Sequence, residues 1–109
     1  MQKQMALRIM ICCLCMSLSA CSDEQAEMLA KGEAIYTANC KVCHAQGING
    51  APIVGNSKMW NRRAEQGIPV LLEHASQGFG LMPAKGGNVE LTEAELELAI
   101  RFMLSRLET

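Results

Sequence analysis

The sequence predicts an all-α domain of about four short helices. Two observations predict it. Apolar residues recur at three- and four-residue intervals in the segments between turns, and no stretch alternates as a strand would. Glycine and proline gather between those segments, where they break helices. In chain order, a helix is expected from about Gln25 to Ala38, with Met28, Leu29, Gly32, Ile35 and Tyr36 near one face. Residues 45–56 read as a loop, marked by Gly47, Gly50, Pro52 and Gly55. A short helix follows from Ser57 to about Gln66, stopping before Gly67. Pro69 opens the next helix, where its missing N–H does no harm, and Gly78 ends it. Residues 78–88 form a second loop. The last helix has the clearest start, because Thr92 and Glu95 make a T-x-x-E capping box. Leu96, Ala99, Ile100, Met103, Leu104 and Leu107 then supply its apolar face.

The chemistry begins at Cys40-Lys41-Val42-Cys43-His44, a C-x-x-C-H run. That run is the attachment signature of a c-type haem. Two thiols on one helical turn, Cys40 and Cys43, can each form a thioether to a haem vinyl group, and His44 then lies over the iron as its proximal ligand. A thioredoxin-like redox pair would need a βαβ setting, which is missing here. A zinc site would need further ligands at short spacing. After His44 there is no Cys, and His74 is the only His. The expected fold is therefore about four short helices packed around one covalently bound haem c.

The first 20 residues read as an export leader. Lys3 and Arg8 supply positive charge, and Ile9 to Ala20 is uncharged and mostly apolar, too short for a membrane-spanning helix. The segment ends in Leu18-Ser19-Ala20-Cys21, which resembles a bacterial lipobox, in which cleavage leaves Cys21 as a lipidated N-terminus. Ordinary cleavage after Ala20 is the alternative and would give a soluble periplasmic protein. It is disfavoured because Leu18 stands where an A-x-A-like site wants a small residue. The division expected is residues 1–20 as signal peptide, 21–27 as a tether from lipidated Cys21, and 28–109 as the domain. Removal of the leader leaves 89 residues and no two Cys for a structural disulfide beyond the haem pair. A domain this small relies on a staple or cofactor, and four aromatics (Tyr36, Trp60, Phe79, Phe102) supply little core by themselves.

An iron held by one His needs a sixth ligand. Met28 and Met103 fall on apolar helix faces, where packing is the usual role. Met59, beside Trp60, is open. Met82 lies in Gly78-Phe79-Gly80-Leu81-Met82-Pro83-Ala84-Lys85-Gly86-Gly87, where Pro83 stiffens the chain and the glycines let backbone approach a flat cofactor. Met82 is the expected distal ligand. His74 is the rival, expected to face solvent.

The helix-ending C-x-x-C-H, the late Met82-Pro83 loop and the amphipathic final helix occur in the order of a class I cytochrome c, and nearly all of residues 25–107 resembles that family. Gly32-Glu33-Ala34-Ile35-Tyr36, Gly50-Ala51-Pro52, Trp60 and Met82 to Gly87 resemble more narrowly the short bacterial cytochrome c5 type. The resemblance implies that Gly32 and Tyr36 pack against the final helix at Ala99 and Phe102. It implies that the Pro52 carbonyl accepts from the proximal imidazole. It also implies that Trp60 and Arg63 reach the haem propionates, with Arg62 an equal candidate for the latter role.

The formal net charge of the whole chain is −1, and no basic run exists, so nucleic acid is not an expected partner. Charge is uneven: between Cys40 and Lys85 lie Lys41, Lys58, Arg62, Arg63 and Lys85 against Glu65 and Glu73, with acidic segments on either side. Lys41, Lys58 and Lys85 could ring the haem edge and steer acidic partners, or belong to an ordinary mixed surface. The expected function is a monohaem electron carrier, not an enzyme, at the bacterial membrane facing the periplasm, with redox proteins as donor and acceptor. Two alternatives remain: a fixed haem subunit of a membrane oxidase or reductase, and a sensor or peroxidase with a labile Met ligand.

Overall fold

The computed structural model describes residues 2–107, with side chains from residue 20 onward. The side chains on which the leader reading rests, up to residue 19, and residues 108–109 lie outside the described residues. The order is α1 (Gln2–Asn39), α2 (Lys41–His44), α3 (Ser57–Ala64), α4 (Ile68–Gln77) and α5 (Glu93–Ser105). Two 3-10 turns, Ile48–Gly50 and Ala84–Gly87, sit in the loops. The all-α expectation holds: among the described residues the only strand-like pairing is an isolated antiparallel bridge between Phe79 and Met82. The four expected helices are present. The C-x-x-C-H run forms its own single turn, α2, just past the end of α1.

One boundary differs from expectation. α1 runs without a break through residues 22–27, whereas the expected helix begins only at about Gln25. No Gly or Pro interrupts the chain before Gly32, and Glu27 and Lys31 form an i,i+4 ion pair at 2.8 Å. Among the described residues, no helix is long and apolar enough to cross a membrane.

α1 and α5 cross at Gly32, and this contact explains the glycine. A Cβ built there would stand 2.9 Å from the Leu98 carbonyl carbon and 3.0 Å from Phe102 Cβ, and would overlap the Leu98 carbonyl oxygen. One turn on, the Tyr36 and Phe102 rings meet with centroids 5.2 Å apart. Gly32 therefore packs on Leu98 and Phe102, one position from the expected Ala99. α5 begins with the full capping box: the Thr92 hydroxyl accepts from Glu95 N–H, and the Glu95 carboxylate accepts from Thr92 N–H at 2.9 Å. Its inner face buries Leu96, Ala99, Ile100, Phe102 and Met103, which join Tyr36, Trp60, Leu71, Ala75 and Leu91 in one core. Met28, expected to pack, is 40% exposed, at the edge of a shallow groove it shares with Leu29, Ile68 and Leu104.

α3 is capped by the Asn56 side chain, which accepts from Met59 N–H at 3.2 Å. α4 has Gly67 at its start and Pro69 in its first turn, and Gly78 closes it. Gly78 has φ +87°, and a Cβ there would stand 3.0 Å from the Met82 carbonyl oxygen. The missing side chain lets the following loop fold back onto the end of α4.

Candidate functional site

α2 places Cys40, Cys43 and His44 at one wall of a cavity of about 690 Å³, and the loop after α4 brings Met82 to the same cavity. His44 is buried, and its carbonyl accepts from Val54 N–H at 2.8 Å, which folds residues 45–54 back over α2. Its Nδ1 lies 2.9 Å from the Pro52 carbonyl oxygen. A carbonyl only accepts, so Nδ1 carries the proton and Nε2 keeps its lone pair. The contact implied for Pro52 is therefore present. Before haem attachment, burial pushes the Cys40 thiol up, and neighbouring Cys43 adds to the shift.

Met82 is presented by a tight hairpin. Phe79 N–H donates to the Met82 carbonyl at 3.0 Å, and Met82 N–H donates to the Phe79 carbonyl at 2.9 Å. Only Gly80 and Leu81 lie between, and Gly80 has φ +57°. The loop is joined to α1 through Asn39. Its Oδ1 accepts from Asn88 Nδ2 at 2.8 Å, and its own Nδ2 donates to the Ile35 carbonyl at 2.9 Å. Asn39 had no sequence signal, since its partner lies in the distant loop.

The other predicted residues separate here. Trp60 is buried on the cavity wall, but its Nε1–H donates to the Ile53 carbonyl at 2.9 Å. That N–H is engaged with the chain rather than aimed at a propionate, so Trp60 is a wall and a brace for the 45–56 loop. Arg63 lines the cavity and donates to the Met59 carbonyl, whereas Arg62 is not among the cavity residues. Met59 is not among them either. His74 departs from expectation. It is half-buried on the cavity wall, and its ring stacks on Phe79 with centroids 4.0 Å apart. The α4 periodicity could have shown this, since His74 is three residues from Leu71 and next to Ala75, both buried. None of Lys41, Lys58 and Lys85 lines the cavity; Val42, Ile48, Phe79 and Leu81 do, and all four are exposed apolar side chains. Lys85 turns away to donate to the Val89 carbonyl at 3.2 Å.

The cavity fits a covalently attached flat macrocycle. Its volume lies in the range of ligand pockets, about 300–1,000 Å³. Its inner wall is apolar (Leu71, Ala75, Ile100, Met103), two thiols stand at one edge, and a nitrogen and a thioether donor line it together. Among the described residues, no group of three or more His, Cys, Asp or Glu is gathered as an ordinary metal site. An all-α fold with a C-x-x-C-H turn on such a cavity defines a haem c protein.

Comparison with known proteins gives the same class. A family model described as cytochrome C oxidase, cbb3-type, subunit III matches residues 27–103. Cytochrome c-555 of Prosthecochloris aestuarii is 37% identical over 94 residues, covering 79% of this chain and 95% of that protein. Cytochrome c-555 of Chlorobaculum tepidum is 41% identical over 81 residues, covering 71% and 75%. Cytochrome c5 of Azotobacter vinelandii is 35% identical over 71 residues, covering 63% and 86%. A solved chain from an electron transfer complex of nitrite reductase with cytochrome c superposes with a TM-score of 0.67 at 37% identity, covering 70% of this chain and 93% of that one. The chain belongs to the class I c-type cytochrome family. It binds one haem c covalently through Cys40 and Cys43 and carries single electrons between redox partners.

Proposed function

We propose that this cytochrome is a lipid-tethered carrier facing the bacterial periplasm, with His44 and Met82 as the axial ligands of its iron. The observation that carries the ligand assignment is that His44 and Met82, from opposite halves of the domain, line one cavity with both thiols. The bound haem supplies the Fe(II)/Fe(III) couple, and the chain supplies everything around it. Proton donation from Nδ1 to Pro52 leaves Nε2 as the coordinating nitrogen and strengthens it as a donor. The Met82 thioether fills the sixth position and raises the potential. With both axial positions filled, no site is open to oxygen or substrate, which favours a carrier over a peroxidase or sensor. Trp60, Leu71, Ile100 and Met103 keep water from the inner wall, and Arg63 is the cation toward which a propionate would turn.

The tether reading rests on Leu18-Ser19-Ala20-Cys21, with residues 1–20 removed and Cys21 acylated. The thiol of Cys21 is free and exposed, which supports modification there. One acyl chain holds a protein only marginally, whereas several hold it stably. The partners are redox proteins. The structural relative crystallised with nitrite reductase supports a protein oxidoreductase as one of them. The family description, an oxidase subunit, supports a second reading as a fixed entry subunit of a membrane oxidase. Co-purification with an oxidase in fixed stoichiometry would select that reading.

The ligand assignment is tested by Met82→Ala. The sulfur-to-iron charge-transfer band should vanish and the midpoint potential should fall, while Met59→Leu leaves both unchanged. Survival of the band in Met82→Ala would sink the assignment. The tether is tested by mass spectrometry of the native N-terminus. A diacylated or triacylated Cys21 is expected, and an unmodified Cys21 or another start would refute it. Cys21→Ser should no longer fractionate with membranes.

A further inference from the structure

His74 is the titratable side chain of the cavity wall that the reading above leaves without a task. It projects from the α4 face that also carries buried Leu71 and Ala75. Its ring lies on the Phe79 ring with centroids 4.0 Å apart and 18° between the planes, a near-parallel stack. Phe79 and the neighbouring Leu81 reach the cavity from a loop rather than from a helix. Yet Phe79 is the residue whose backbone closes the hairpin on Met82 through two reciprocal hydrogen bonds. Gly78 and Gly80, both at positive φ, make this turn possible and also leave it conformationally permissive. A hairpin this permissive is held in place by a contact that ties it to a rigid element. The stack supplies one, because α4 is fixed to the core through Leu71 and Ala75.

We propose that His74 is a positioning residue for Met82: by stacking on Phe79 it locks the Phe79–Met82 hairpin onto α4 and holds the thioether in the cavity. The inference rests on Met82 as the axial ligand and deepens that reading. The task is mechanical: the stack reaches Met82 through the Phe79 backbone. Loss of the stack should therefore raise the frequency with which Met82 swings away, and leave the resting ligation in place.

The test uses the oxidised holoprotein and imidazole as an added ligand, which binds the iron only when Met82 has left it. Wild type, His74→Ala, Phe79→Leu, the double variant and His74→Phe are compared for imidazole affinity and for the limiting rate at high imidazole. An aromatic pair of this kind corresponds to roughly a two- to twelvefold change in an equilibrium. His74→Ala and Phe79→Leu should each raise imidazole affinity by about fivefold. The double variant should show no further increase, because both changes remove one contact. His74→Phe keeps a stacking ring and should return to the wild-type value. All four should retain the charge-transfer band before imidazole is added. Wild-type affinity and rate in both single variants would overturn the proposal, as would simple addition of the two effects or failure of His74→Phe to restore. If His74→Ala does not assemble, Phe79→Leu and His74→Phe carry the test. Met82→Ala separates the two readings. If the band persists in it, the ligand assignment has failed. If the band is lost there but the His74 and Phe79 variants behave as wild type, only the positioning role has failed.

Discussion

The Nδ1 of His44 donates to the carbonyl oxygen of Pro52 across 2.9 Å, joining the C-x-x-C-H turn to a loop eight residues further on. The proton shared with Pro52 makes the imidazole a stronger donor at Nε2. A stronger donor favours ferric over ferrous iron. Pro52→Gly should loosen the carbonyl, weaken the bond and raise the midpoint potential. A two- to fivefold change in the redox equilibrium corresponds to about 20–40 mV at 59 mV per tenfold. Redox titration checks the sign, and a fall in potential would refute the argument.

The α1–α5 crossing has no room for a side chain at residue 32. Gly32→Ala gains about 1 kcal/mol of helix propensity. It also meets the Leu98 carbonyl group, which is backbone inside α5 and cannot rotate aside. Overpacking of this kind costs about 1–3 kcal/mol, and because the obstacle is backbone the clash outweighs the propensity gain and the net effect is destabilising. Gly32→Val, which lacks most of that gain, should cost more. Thermal melts of the holoprotein should order the three as wild type, Gly32→Ala, Gly32→Val, from highest to lowest Tm.

The capping box makes α5 sensitive to acid. The Thr92 backbone N–H, and after it the Thr92 hydroxyl, hold the Glu95 carboxyl below its ordinary value of 4.5. A carboxyl lowered in the folded state contributes stability above its unfolded value, and loses it as pH falls through the folded value. The Tm advantage of wild type over Glu95→Gln should therefore be present at neutral pH and shrink as the pH falls below the ordinary value of 4.5. An advantage independent of pH would contradict this. Thr92→Ala should cost about 1 kcal/mol at neutral pH.

Without haem the cavity walls have nothing to pack against. Trp60, Leu71, Ala75, Ile100 and Met103 are core residues that meet at this site. On the proposed His44/Met82 ligation, closing the chain between those residues also costs loop entropy that covalent attachment and ligation offset. The Cys40→Ala/Cys43→Ala double variant should be largely unfolded. Well-dispersed amide resonances in it would show that the helices pack unaided.

Much of this protein is written locally. The C-x-x-C-H turn, the Thr92–Glu95 box, the Gly78 stop and the apolar face of α5 each depend on residues within a few positions of one another. Spacing along the chain is enough to read them. The extension of α1 through residues 22–27 was less legible, because a polar segment with no Gly or Pro is compatible with either helix or tether.

The sequence by itself determined the helical class, the covalent haem and the pair of thiols that hold it, because attachment chemistry needs only adjacent residues. Only the tertiary structure decided that Asn39 ties α1 to the loop at Asn88, that the Trp60 N–H is taken by Ile53, and that Arg63 rather than Arg62 lines the cavity. It also turned His74 from an expected surface residue into a wall residue stacked on Phe79. The reason is common to all four. Each depends on which partner a side chain meets once helices and loops far apart in sequence have packed; periodicity can give the face, as for His74 on α4, but not the partner.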